Sequence, residues 1–201
     1  PRSMPFAAWF VMEAASGARL RRGVLPGTTL EELRAAARGG TLHEHVNVLP
    51  ARMGEAVFLP PGTVYGMGTG EGVYEVALRG GDVRRLESGA PGVDAKRTGR
   101  AEAERALAAV DLRTMGVRRS EPVQLHAAPH RRDLLLRCEG FSLELLHLSK
   151  RLVEKPDGQR FAALTCISGR ATVRHDGAGP AEVPLPAGRT GHRNVRTIPP
   201  S

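Results

Sequence analysis

Aromatic residues are scarce in this chain, at 4% of 201 residues, with a single tryptophan and two tyrosines. A core must therefore be built from leucine, valine and alanine. Cysteine is rarer still: Cys138 and Cys166 stand in separate apolar contexts, which excludes a disulfide framework and metal-type cysteine spacing. They read as two reduced core thiols. Lysine is nearly absent, limited to Lys96, Lys150 and Lys155, so arginine supplies almost all of the positive charge. No apolar run nears the roughly 18 residues that span a bilayer, and the apolar stretch 5–15 lacks a cleavage-like ending. No membrane association is expected, and a cytoplasmic location is the default expectation.

What is present is a chain long enough to bury a core unaided, 41% hydrophobic, with 24 glycines and 15 prolines that favour turns and short strands over long helices. The formal net charge is +8. The arginines fall in scattered pairs, Arg21-Arg22, Arg84-Arg85, Arg118-Arg119 and Arg131-Arg132, with no aromatic interleaving. That pattern argues against a nucleic-acid partner. An arginine-for-lysine compositional bias accounts for it, and a sugar-phosphate ligand would also suit a basic cleft.

Along the chain, Trp9 to Glu13 reads as a buried strand and Ala18 to Val24 as an alternating one, with Gly17 at the turn. Thr29-Leu30-Glu31-Glu32 is a capping box opening a helix to about Arg38, closed by Gly39-Gly40. A helical turn over Thr41 to His45 follows. Further strands are expected at 46–50, 54–59 and 72–78. Pro60-Pro61-Gly62 forces a turn, and Gly66 to Gly70 reads as a hairpin turn rather than a phosphate loop, because no helix follows it. A helix is expected over Arg100 to Val110, from the spacing of Ala103, Ala106, Leu107 and Val110. A linker over Asp111 to Pro129 then leads to strands at 134–137, 141–148, 161–167, 171–175 and 182–185. The arginine- and proline-rich tail from Gly188 is expected to be poorly ordered.

The stretch Arg52-Met53-Gly54-Glu55-Ala56-Val57-Phe58-Leu59-Pro60-Pro61-Gly62-Thr63-Val64-Tyr65 resembles the Gly-Asp-…-Pro-x-Gly-Thr-Val-His segment of type I mannose-6-phosphate isomerases, a cupin family. The preceding helix with Asn47-Val48-Leu49-Pro50, the strand Gly72 to Val76 and the helix Gly99 to Leu112 are similar to that family's neighbouring elements. Residues 141–186 resemble its second, non-catalytic unit. The resemblance implies an all-β fold of cupin (jelly-roll) units with a small helical insert and a linker helix. The implied layout is a metal-site-type unit over 1–112 with the insert at about 28–45, a smaller unit over 113–187, and a disordered tail over 188–201.

By that resemblance the inherited reaction interconverts mannose 6-phosphate and fructose 6-phosphate at a zinc ion. Glu75 falls at a position that flanks metal and sugar, and Arg85, ten residues on, at a catalytic and substrate-contacting arginine. The other family ligands do not carry over: the early Gln and His fall ahead of Pro1, the Glu position is Ala7 and the His position is Tyr65. Alanine offers no donor atom, and a phenol with a pKa of about 10 is a poor zinc ligand near neutral pH. Zinc is therefore not expected to be held tightly. The remaining histidines read as solvated or structurally satisfied, including the His43/His45 pair on its helical turn. Two functions stay open: an isomerase with a degraded metal site, or a non-catalytic cupin that binds a sugar phosphate or a protein partner. A first unit missing its early strands would expose a sheet edge, which invites a homodimer.

Overall fold

The computed structural model describes residues 6–78, 86, 99–113, 120–153, 162–174 and 182–193. The chain divides into two compact units, Pro1–Ser149 and Lys150–Ser201.

The first unit is built from β1 (Ala7–Ala14), β2 (Arg19–Val24), α1 (Leu30–Gly39), a 3₁₀ turn (Leu42–Glu44), β3 (Val46–Pro50), β4 (Ala56–Leu59), β5 (Tyr65–Met67), β6 (Glu71–Ala77), α2 (Gly99–Leu107), β7 (Val123–His126), β8 (Arg131–Arg137) and β9 (Ser142–His147). The strands form three antiparallel sheets, ordered β4-β1-β6, β3-β2-β5 and β7-β8-β9. This is an all-β architecture with two helices, as expected. Because side chains alternate across a strand, β1 serves two cores. Ala7, Trp9 and Val11 join Leu20, Val57 and Leu59 on one face. Phe10 joins Ala56 and Leu135 on the other, with Met12, Tyr74, Leu143 and Leu145 packed around them.

The capping box forms as its sequence demands: Thr29 accepts from the Glu32 amide, and Glu32 reaches back to the Thr29 amide at 2.7 Å. Gly40 ends the helix in the left-handed conformation, φ 75°. α1 buries Leu33 and Ala36 against Val24, Leu42 and Leu107. Glu104 of α2 ties the two helices together through Arg34 and Arg38, both at 3.0 Å.

Two expectations are corrected here. Gly66 to Gly70 is not a hairpin turn: β5 pairs with β2 and β6 with β1, so the segment crosses from one sheet to another. The length of the glycine-rich stretch suited a hairpin, but register is decided by partners distant in sequence. The expected linker over 111–129 contains a strand, β7, whose residues are all exposed. An apolar pattern cannot reveal a strand held only by its backbone ladder.

The second unit consists of two antiparallel hairpins, β10 (Ala162–Thr165) with β13 (Thr190–Arg193) and β11 (Arg170–Arg174) with β12 (Glu182–Pro186). β13 falls within the segment expected to be a disordered tail; 194–201 lie outside the described residues. Among the described residues no helix is long and apolar enough to cross a membrane.

Candidate functional site

The face of the β4-β1-β6 sheet that carries Trp9 also carries Ala7 and Glu75, and Tyr65 packs against it from β5. Trp9, 1% exposed, lies opposite Val57 on β4 and Glu75 on β6. Directly opposed antiparallel residues share a face, so the Glu75 carboxylate reaches the indole: Trp9 Nε1 donates to Glu75 Oε2 at 2.7 Å. Tyr65 meets the same ring edge-on, with centroids 5.2 Å apart and planes at 86°. Burial pushes the Tyr65 phenol above its ordinary value, and the negative charge of Glu75 pushes it further in the same direction. The phenol is therefore a neutral hydrogen-bond donor throughout the physiological range.

Ala7 stands in the same row, opposite Leu59 and Ala77, where it contributes only a methyl group to the apolar packing. Among the described residues, the hydrogen-bond partner of the Glu75 carboxylate is the Trp9 indole. Arg85 lies outside the described residues. The turn carrying Tyr65 is pinned from outside: Gly62, φ 78°, accepts from the Asp111 amide at 2.9 Å. A Cβ at Gly62 would come within 2.9 Å of the Ala109 carbonyl oxygen and of Asp111.

Sequence reasoning missed one residue at this site. Arg22 lies opposite Tyr65 in the β2–β5 register and is 7% exposed. Its Nε donates to the Phe58 carbonyl at 2.7 Å. Burial draws its pKa down from the ordinary guanidinium value. The signal was available: Ala18, Leu20, Arg22 and Val24 occupy alternate positions, so the arginine falls in a row whose other three members are buried and apolar.

Among the described residues, His43 and His147 lie elsewhere. His43 is exposed on the 3₁₀ turn, 4.0 Å from the Glu44 carboxylate. His147 faces the buried Asp133 at 3.9 Å on the β8–β9 pair, where Arg131 holds the same carboxylate oxygen at 2.8 Å. Among the described residues no three histidine, cysteine, aspartate or glutamate side chains come together as a metal site would require.

This architecture matches solved structures. Mannose 6-phosphate isomerase from Bacillus subtilis superposes with a TM-score of 0.63 at 16% identity, over 92% of this chain and 57% of that one. The chain shares its fold with this isomerase over the part that superposes. A point mutant of the phosphomannose isomerase from Salmonella typhimurium superposes with a TM-score of 0.54 at 13% identity, over 95% of this chain and 63% of that one. The chain thus spans less than two thirds of the length of these phosphomannose isomerases. No family model and no curated protein matches it by sequence. At such low identity the likeness establishes the cupin fold and leaves the chemistry to the residues present.

Those residues do not suit a zinc ion. Glu75 brings one carboxylate, with one oxygen already accepting from Trp9, Tyr65 presents a protonated phenol, Ala7 offers no donor, and Arg22 adds a positive charge across from Tyr65. A divalent cation needs deprotonated donors and gains nothing beside a guanidinium.

Proposed function

We propose that this chain is a mannose-6-phosphate-isomerase-like cupin that binds a sugar phosphate in its first unit without a tightly held metal. The observation that supports this reading is the 2.7 Å bond from the Trp9 indole to Glu75, beside a Tyr65 that the resemblance sets at the family's imidazole position. The indole holds one oxygen of a carboxylate that stands beside a phenol and a methyl group, too few strong donors for a tight zinc site. The inherited reaction belongs to carbohydrate metabolism and moves a proton between sugar carbons. It relies on an electrophile to stabilise the developing oxyanion, and this donor set does not supply a metal for that role.

Glu75 retains a binding role in this reading. Its exposed carboxylate oxygen can accept from sugar hydroxyls while the other accepts from Trp9. Arg85 is proposed as a second contact to the substrate, on the strength of its position ten residues beyond Glu75.

The test pairs zinc titration calorimetry with a coupled assay for fructose 6-phosphate. Zinc binding no tighter than about micromolar and no turnover are expected, against the much tighter binding of a built three-ligand site. Stoichiometric tight zinc, or turnover abolished by a chelator, would overturn the reading. Tyr65→His alone is expected to restore neither property, because Ala7 leaves the donor set short.

A further inference from the structure

The second unit carries most of the chain's excess charge. Lys150–Ser201 holds nine lysines and arginines against four acidic residues, which is five of the net +8. Such a unit favours an anionic partner, and one open cleft within it has walls suited to a small one. The cleft has a volume of about 390 Å³ and is lined by Val183, Pro184, Leu185, Pro186, Arg189 and Thr190. That places it at the small end of the range of about 300–1,000 Å³ typical of ligand sites.

Four consecutive residues of β12 touch the cleft. Neighbouring side chains of a strand point to opposite faces, so a cavity that reaches all four lies along the strand's edge, on the side away from β11. That edge is closed to another strand. Pro184 and Pro186 have no N–H, and prolines within a paired strand sit where the missing donor faces away from the partner. Two alternate positions on the edge therefore offer carbonyls without amides, so neither a second copy nor an extended peptide can build a regular ladder there. A small molecule is the occupant that this edge admits.

The polar end of the cleft is Arg189. Its backbone is fixed on both sides: the amide donates to the Pro186 carbonyl at 3.1 Å, and the carbonyl accepts from the Cys166 amide at 3.0 Å. Its guanidinium has no ion pair and no hydrogen bond among the described residues, whereas Arg174 is neutralised by Glu182 at 2.5 Å. None of the residues lining the cleft is acidic. Thr190 adds a hydroxyl, held 2.8 Å from that of Thr165. Val183, the buried Leu185 and the two proline rings supply an apolar wall.

We propose that this cleft binds a small organic anion, with the ligand's phosphate or carboxylate on the Arg189 guanidinium and its apolar body against β12. An arginine fork accepts either group bidentately, so the shared chemistry is an oxyanion on an apolar body. The proposal concerns the second unit and is independent of the sugar-phosphate reading of the first.

The intact chain is titrated with phenyl phosphate and with phenylacetate, following backbone amides by nuclear magnetic resonance. Inorganic phosphate and benzyl alcohol serve as the anion alone and the apolar body alone. One of the two aryl anions is expected to give a single saturable set of shifts at the amides of 183, 185 and 187–190, and the tighter of them identifies the anion. Inorganic phosphate and benzyl alcohol are each expected to bind more weakly. Arg189→Gln is expected to weaken binding at least about tenfold, the loss of one charge-assisted contact. Arg189→Lys keeps the charge without the fork and is expected to fall between. The Arg189 side chain is exposed and bonds to nothing in the fold among the described residues, so both variants are expected to keep the wild-type amide pattern. Val183→Asp, at an exposed wall position, tests the cleft separately: the added negative charge is expected to weaken the aryl anions and spare benzyl alcohol.

No saturable response at these amides, shifts centred elsewhere, benzyl alcohol binding as tightly as the aryl anions, or unchanged affinity in folded Arg189→Gln would each overturn the proposal.

Discussion

At the scale of single residues, the site is defined by hydroxyl and indole groups rather than by metal donors, and Tyr65 gives a direct handle on it. Its folded pKa lies above the ordinary value near 10, first through burial and then through Glu75. The unfolded chain releases this proton first. The contribution to stability is therefore complete below about pH 10 and is lost as pH rises toward the folded value. Titration of Tyr74→Phe, in which Tyr65 is the one remaining tyrosine, should show a phenol titrating above the normal range. Glu75→Gln should lower that value only part of the way, because burial is the larger cause. A return to the ordinary value in Glu75→Gln would contradict this ordering. Part of this neighbourhood was legible in the sequence: Ala7 and Glu75 stand on one face of β1 and β6, and Tyr65 packs against Trp9 beside them. The Trp9–Glu75 bond was not legible, because 66 residues separate the partners and only sheet register brings them together. Arg22 was overlooked because a strand reading Arg-Leu-Arg-Arg suggests a solvated edge, although its apolar neighbours at i±2 argued otherwise.

At the scale of elements, local signals predicted best where the chemistry is local. The Thr29 capping box, the Gly40 stop and the Pro60-Pro61-Gly62 turn all form as their residues require. Strand pairing was less legible. The Gly66–Gly70 crossing depends on partners that no short window contains, and β7, although its partner β8 follows closely, buries no side chain that would announce it. The Gly62 turn offers the sharpest test. Its positive φ disfavours any side chain, and a Cβ would press on the backbone of 109–111, which cannot yield as a flexible side chain would. Gly62→Ala should therefore cost roughly 2–4 kcal/mol in denaturant melts, combining left-handed strain with the clash. It should also disturb the near-UV signal of Trp9, since Tyr65 follows three residues later. A loss under about 0.5 kcal/mol, within the range of ordinary surface substitutions, would mean that the turn is not clamped as described.

At the scale of the whole molecule, the cupin architecture was legible from the density of short strands and from the motif around Gly54 to Tyr65. The two compact units were less so, because the boundary after Ser149 follows contacts rather than composition. All three clusters of buried apolar residues belong to the first unit. A chain ending at Ser149 should therefore keep a cooperative melt and the near-UV signal of Trp9; loss of both would show that the first unit depends on the second. Within that unit, β1 has a strand hydrogen-bonded on each side and an apolar cluster against each face. Its amides can meet solvent only when both sheet partners let go, so opening β1 amounts to global unfolding. In native-state hydrogen exchange the amides of 8–11 should be the last to acquire deuterium, at rates set by the global stability. The amides of β7, whose residues are all exposed, should exchange far sooner through local fraying. The candidate site would then sit on the slowest-exchanging segment of the chain, so a ligand held there would slow deuterium uptake across the entire first unit.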